Sequence, residues 1–111
     1  MDDLQRMTRY AEELAHQAAQ FILEEMGKQS LVTVTRAQSS DDFNGVLIFV
    51  TVFPESEQDK ALAWLKRSRT NFRNFVAKKS PGMRPPTIDF VIDLGERNRR
   101  LIDEKLRPPQ A

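Results

Sequence analysis

The spacing of apolar residues predicts a long amphipathic helix at the start of the chain. Apolar positions between residues 3 and 27 recur at steps of three and four, which places them along one side of a helix. Asp2 or Asp3 can cap its first turn, and Gly27 stands where a left-handed C-terminal cap is common. His16 falls opposite the apolar positions, so we expect it to face solvent without a catalytic role. The apolar positions are Leu4, Met7, Ala11, Leu14, Ala18, Phe21 and Ile22.

Three later segments have the composition and alternation of β-strands. Residues 31–38 and 46–53 are rich in β-branched and aromatic residues, and the turn-forming segment 39–45 separates them. We therefore expect an antiparallel hairpin. The second run is almost continuously apolar, which indicates an interior place in the sheet or cover on much of both faces. Alternation of apolar and polar residues over 87–93 predicts a third, half-buried strand.

A helical pattern with one apolar and one basic side runs from about residue 57 to 79. Ser56 followed by Asp59 resembles a capping box at its start. Residues 68–71 have indifferent helix propensity and short polar side chains, so we expect a kink or break that divides two helices. The residues expected to face the core are Ala61, Leu62, Leu65, Phe72, Phe75 and Val76, with Trp64 at the core edge.

The remaining segments complete a single α+β domain. Residues 80–82 stop the second helix of the pair, residues 96–106 predict a last short helix, and residues 107–111 read as a frayed tail. The 111 residues fit one domain, which we place at 1–106. The predicted order is helix, strand, strand, kinked helix pair, strand, short helix, with a three-stranded sheet and helices packed on one face.

Composition excludes several kinds of chemistry. The chain has no cysteine and one histidine, which removes disulfides and thiol nucleophiles, argues against a structural zinc site, and fits a reducing cytoplasm. No apolar run is long enough for a membrane span, and the acidic start does not resemble a targeting segment. Asp41 and Asp42 lie among turn formers, so we interpret them as turn residues. No nucleophile–base pair or phosphate loop is visible, so we expect neither an enzyme nor a cofactor or metal.

Charge is unevenly distributed although the net charge is only +1. Residues 1–59 are rich in Asp and Glu, whereas residues 60–86 contain no acid. Such a segment is a candidate surface for phosphate, and the alternative is a solvated helix face. Lys66, Arg69 and Arg73 recur at three and four residues and form a ridge if the kink is mild. The cations of this segment are Lys60, Lys66, Arg67, Arg69, Arg73, Lys78, Lys79 and Arg84.

Several short motifs occur along the chain in a distinctive order and spacing. They are Thr33-Val34-Thr35, Ser40-Asp41-Asp42-Phe43, the alternating strand 48–52, Asn71-Phe72-Arg73, the run 84–93, Asn98 and Ile102-Asp103. No single motif is specific, and the run from Arg84 to Asp93 carries the most information because it combines arginine, proline, phenylalanine and aspartate at fixed spacing. Taken together, the motifs resemble the ribosome-binding factor A (RbfA) family over roughly residues 6–106.

The resemblance implies a type II KH-like fold. KH domains usually grip single-stranded nucleic acid with a Gly-x-x-Gly loop between two helices. RbfA-like proteins have an Ala-x-Gly kink instead, and here the aligned residues are Ser68-Arg69-Thr70, so the glycine is missing.

The resemblance also implies a function without catalysis. Such a protein would bind the small (30S) ribosomal subunit or its precursor through 16S rRNA, and assist late maturation and processing of the 16S rRNA 5′ end. We expect a cytoplasmic monomer with other assembly factors as further candidate partners, and no contact with DNA or membranes. The alternative is a protein-binding adaptor with a decayed RNA grip. The candidate RNA-binding residues are Lys66, Arg67, Arg69, Thr70, Arg73, Lys78, Lys79 and Arg84.

Overall fold

The computed structural model describes residues 3–26, 31–39, 45–82 and 87–95. Both the predicted helix at 96–106 and the tail at 107–111 lie outside the described residues, as do Gly27, Asp41, Asp42 and Arg84. The elements are helix α1 (Asp3–Glu25), strands β1 (Leu31–Ser39) and β2 (Val46–Phe53), a 3₁₀ turn (Glu55–Glu57), helices α2 (Gln58–Arg67) and α3 (Arg69–Lys79), and strand β3 (Ile88–Ile92).

The three strands form one mixed sheet in the order β1-β2-β3. β1 pairs antiparallel with β2, which confirms the predicted hairpin, and β2 occupies the central place that its apolar sequence indicated. β3 pairs parallel with β2, with Val46 opposite Ile88 and Val50 opposite Ile92. Parallel pairing needs a crossover connection, and α2 and α3 provide it.

The core lies between one face of the sheet and the three helices. Alternate residues of β2 and β3 point to this face, and the apolar side of α1 meets them, as the periodicity predicted. Leu65 of α2 and Phe72 of α3 are fully buried in the same cluster. The cluster comprises Leu14, Ala18, Phe21, Ile22, Val46, Ile48, Val50, Leu65, Phe72, Val76, Ile88 and Phe90.

Phe49 is fully buried although it points away from the helices. Arg36 lies opposite it on β1, and the Arg36 guanidinium carbon is 3.6 Å from the centre of the Phe49 ring. This stacking is a cation–π contact, and it covers an apolar ring on the outer face of the sheet. The expectation that β2 is covered on much of both faces is confirmed at this position.

A bulge in β1 ties the hairpin to the end of β3. The register shifts between Val34 and Arg36, which leaves Thr35 without a partner residue in the ladder. The Thr35 hydroxyl donates to Asp93 Oδ2 at 2.6 Å. The other carboxylate oxygen of Asp93 accepts from the Gly95 N–H at 2.9 Å, in a turn where the Gly95 φ of +86° favours glycine. The bulge thus fixes where the chain leaves the sheet.

A buried polar contact fixes the C-terminal end of α3 against α1. Gln17 is 3% exposed, and its Nε2 donates to Ser80 Oγ at 2.9 Å and to Glu13 Oε1 at 3.0 Å. Because a buried amide that lost its partners would carry the cost of desolvation, this contact favours one position of α3 on α1.

The predicted capping box is wrong. Pro54 is followed by the 3₁₀ turn Glu55–Glu57, and neither this turn nor α2 has a side-chain cap hydrogen bond. The backbone itself closes the turn, because the Glu57 N–H donates to the Pro54 carbonyl at 3.0 Å.

Candidate nucleic-acid interface

One residue separates the two helices of the basic segment. Ser68 has φ −92° and ψ 4°, which interrupts the helical backbone between α2 and α3. Its N–H donates to both the Trp64 and Leu65 carbonyls, and its own carbonyl accepts from the Phe72 N–H at 2.8 Å. Ser68 is 6% exposed, so the break is held inside the protein while its flanking residues face outward. The predicted break at 68–71 is confirmed and narrowed to Ser68.

The break brings Lys66 and Arg69 together. Lys66 is in the last turn of α2 and Arg69 opens α3. Arg69 Nε donates to the Lys66 carbonyl at 3.0 Å, which holds the guanidinium across the break. Positive side chains at the end of α2 also complement the partial negative charge of a helix C-terminus.

An acid from β3 lies between these two cations. Lys66 Nζ is 2.9 Å and Arg69 Nη1 is 3.4 Å from Asp89 Oδ1. The Phe90 N–H donates to the same oxygen at 2.9 Å. Because residues 60–86 contain no acid, the sequence predicts that their cations have no acidic neighbours. That prediction is wrong, because β3 brings Asp89 beside two of these cations. Parallel pairing of β3 with β2 carries Asp89 back to the helix break.

Arg73 continues the basic ridge toward α1. It follows Arg69 by four residues on α3 and is exposed. Burial raises the pKa of the Tyr10 phenol on α1, and the positive charge of Arg73 opposes that rise. The ridge of Lys66, Arg69 and Arg73 therefore extends from the β3 edge to α1.

Other predicted binding residues lie apart from this ridge. Lys78 follows Arg69 by about two and a half helical turns, so it points to the opposite side of α3 roughly 14 Å along its axis. Lys79 is also in the last turn, and its Nζ is 5.5 Å from the centre of the Phe75 ring. Arg67 and Thr70 are exposed beside the break. The structure thus brings together the predicted residues beside Ser68, and it places Lys78 apart from them. The residues beside Ser68 are Lys66, Arg67, Arg69 and Thr70.

Trp64 is a packing residue at the edge of the core. Its ring lies 6.1 Å from that of Phe21, which also contacts Phe72 at 5.4 Å and Phe75 at 5.5 Å. Trp64 is partly buried against the core cluster, as the sequence predicted. Phe75, predicted in the core, is only partly buried.

The described residues hold no cluster of side chains suited to a metal. Within residues 3–26, 31–39, 45–82 and 87–95, no group of three or more His, Cys, Asp or Glu side chains could hold a metal ion. Helices in this same part of the chain are too short or too polar to cross a membrane.

The chain is similar to known proteins along most of its length. The family model for Ribosome-binding factor A matches residues 6–106. The chain is 31% identical over 105 residues to Ribosome-binding factor A of Desulfitobacterium hafniense (strain DSM 10664 / DCB-2), covering 92% of this chain and 84% of that protein. It is 29% identical over 109 residues to the Thermobifida fusca (strain YX) protein of the same name, covering 96% and 72%.

The chain belongs to the ribosome-binding factor A family. The crystal structure of ribosome-binding factor A from Thermus thermophilus superposes with a TM-score of 0.67 at 22% identity, covering 78% of this chain and 94% of that one. This likeness confirms the α+β, type II KH-like fold that the sequence predicted.

The break in this chain does not use the glycine that the resemblance implies. Thr70, at the position where the resemblance places that glycine, is helical and exposed in α3, and the break lies at Ser68. The Ser68 φ of −92° is open to any L-residue, so this chain makes its break without glycine.

The most informative RbfA motif, residues 84–93, has clear structural roles where it is described. Phe90 is fully buried, with its ring 5.9 Å from that of Phe72. Asp93 accepts the hydrogen bond from Thr35. These contacts join β3 to α3 and the end of β3 to β1.

Proposed function

We propose that this protein is a ribosome-binding factor that binds the small (30S) ribosomal subunit or its precursor through 16S rRNA. Binding energy would hold rRNA elements in one arrangement and assist late maturation and 16S rRNA 5′-end processing, without catalysis. The setting proposed is the cytoplasm, with the protein acting as a monomer. Membership of the family supports ribosome binding, since the relatives carry that activity in their name.

The observation that carries the RNA-binding part is the convergence of donors at the break between α2 and α3. An ammonium, a guanidinium and a backbone N–H meet at one anionic oxygen there. These are the groups that proteins place against nucleic-acid phosphates, and arginine can also stack on exposed bases. Arg73 extends the surface, and we propose Arg67 and Thr70 as flanking contacts.

The other predicted RNA-binding residues do not lie at the helix break within the residues that the structure describes. Lys78 and Lys79 are at the far end of α3, so we propose them as peripheral phosphate contacts. Arg84 stays a prediction from the charge pattern alone.

Cosedimentation with small subunits purified from cells that lack this protein tests the proposal. We expect R69A/R73A to weaken binding by about 1–3 kcal/mol and to reduce the salt slope by roughly 1–2 units, if each arginine meets one phosphate. The urea melt should change little because both side chains are exposed.

K78A/K79A is the matched control, since it removes the same charge from the same helix. We expect it to cost less than about 1 kcal/mol of binding, as peripheral charges do. If K78A/K79A lost as much binding as R69A/R73A, the helix break would not be the RNA-binding surface.

One observation favours the alternative of a protein-binding adaptor. Asp89 neutralises part of the charge at the break, which weakens any attraction to phosphate. The two functions differ in their response to salt, because phosphate contacts release counterions and protein docking does so much less. Binding to small subunits that persisted unchanged between about 50 and 200 mM salt would favour the adaptor.

A further inference from the structure

Asp89 occupies a point at the helix break that has the donors of an anion-binding site. Its Oδ1 accepts from Lys66 Nζ at 2.9 Å, from Arg69 Nη1 at 3.4 Å and from the Phe90 N–H at 2.9 Å. The side chains of Lys66, Arg69 and Asp89 are 41%, 46% and 34% exposed, respectively. A ligand from solvent can therefore reach the Lys66 and Arg69 donors, whereas Phe90 is fully buried and its N–H stays covered by Asp89.

The strand pairing explains why a backbone donor is available there. The Thr87 carbonyl accepts from the Val46 N–H, and the Asp93 N–H donates to the Val50 carbonyl. Odd-numbered residues of this stretch therefore turn their backbone groups toward β2, and in a parallel ladder the alternate residues turn theirs away. The Phe90 N–H accordingly points to the outer edge of β3, where the Asp89 carboxylate accepts it.

The two cations do not depend on Asp89 alone for their positions. Arg69 Nε donates to the Lys66 carbonyl at 3.0 Å, so the guanidinium stays at the break whatever occupies the anion point. The backbone of Lys66 is held by the last turn of α2, whose Leu65 is fully buried. Removing the charge of Asp89 would therefore leave a positioned guanidinium and, beside it, a lysine whose ammonium is free to pair with another anion.

We propose that Asp89 is an internal competitor that occupies the place of an RNA phosphate. On this view, which rests on the proposed function, a phosphate oxygen replaces Asp89 Oδ1 at Lys66 and Arg69 when RNA binds. The carboxylate must then give up both ion pairs, which lowers the affinity for RNA and allows the factor to leave its site again. Exposed ion pairs are weak, so the competition tunes binding without preventing it.

The variant D89N tests this directly. An asparagine side chain retains an oxygen that can accept the Phe90 N–H, but it loses the charge that pairs with Lys66 and Arg69. The matched control is D59N, because Asp59 is an exposed aspartate of α2 and the net charge changes equally. Asp59 forms no ion pair within the described residues. The probes are small subunits and a short fluorescent oligouridylate, each measured over a range of salt.

We expect D89N to bind both probes about three- to tenfold more tightly than the wild type at low salt, as the loss of two exposed ion pairs permits. The salt slope should steepen by about 1 unit, because in the wild type the Asp89 carboxylate that RNA displaces takes up a counterion and offsets part of the counterion release. D59N should change binding less than about twofold, as an exposed charge away from the site does. In a K66A/R69A background the D89N gain should disappear.

Two results would overturn the competitor role while leaving the proposed function intact. Weaker binding by D89N, with an unchanged urea midpoint, would show that Asp89 positions the cations for RNA. Equal gains from D89N and D59N would show a general effect of charge. If the wild type bound neither probe, the proposed function itself would fail, so the two failures are distinguishable.

Discussion

Phe72 offers the sharpest test of how the helix pair is held on the sheet. It is fully buried, and its ring lies 5.4 Å from Phe21 of α1 and 5.9 Å from Phe90 of β3. We expect F72A to lower the free energy of unfolding by about 3–5 kcal/mol, since truncation of a buried phenylalanine loses its transfer energy and leaves a cavity. Each lost aromatic pair contributes roughly 0.5–1.5 kcal/mol within that total.

This loss is large against the stability of the whole domain. The free energy of unfolding of such domains is about 5–15 kcal/mol. F72A should therefore leave a protein that is folded but much less stable, or one that is partly unfolded. Urea unfolding followed by far-ultraviolet circular dichroism measures the change, and Trp64 fluorescence gives a second probe. Agreement of the two probes would show that the transition remains cooperative.

Phe75 supplies a matched control one turn later on the same helix. It is only partly buried, and its neighbours are the Phe21 ring at 5.5 Å and the Lys79 ammonium at 5.5 Å. F75A should therefore cost about 1–2 kcal/mol, within the common range for a residue at the core edge. If F72A lowered the free energy of unfolding by less than about 1 kcal/mol, or if F75A lowered it by more than F72A does, the buried side of α3 would be assigned wrongly.

Two further outcomes concern stability. T35V should lower the free energy of unfolding by about 1 kcal/mol, since it removes the hydroxyl that donates to Asp93, and T35S should recover most of it in urea melts. Burial raises the pKa of Tyr10 above about 10, so the folded protein holds that proton to a higher pH than the unfolded chain. The stability that the neutral Tyr10 phenol contributes to the folded state is fully present below about pH 10 and is lost as pH rises further. The urea midpoint of Y10F should therefore fall less across alkaline pH than that of the wild type.

Local sequence properties predicted most of the fold. The bounds 46–53 of β2 follow from an apolar run that ends at Pro54. The break follows from weak helix propensity at 68–71, where a buried core residue on each side anchors a helix. The predicted capping box is wrong because the 3₁₀ turn after Pro54 is closed by backbone hydrogen bonds alone. A motif of side chains gives no information about such backbone bonds.

The sequence predicted the candidate site less completely than the fold, because it did not show that an acid lies among the basic residues. Counting charges along residues 60–86 finds no acid, yet Asp89 reaches the break through the pairing of β3 with β2. A usable signal was present, because two helices between two strands favour a parallel crossover that returns β3 beside α2. Alternation places Asp89 on the polar side of β3, but only the packing of α2 decides which cations it meets.

The parallel pairing of β2 with β3 also has a consequence for the order of folding. The α1, β1 and β2 contacts join nearby parts of the chain, whereas Val46 meets Ile88 only after the whole crossover has been synthesised and folded back. Asp89 and the Phe90 N–H arrive with that last strand. A nascent chain that ends before β3 thus has Lys66 and Arg69 but lacks the competitor and the backbone donor beside them. The surface at the helix break is complete only in a chain that has finished folding.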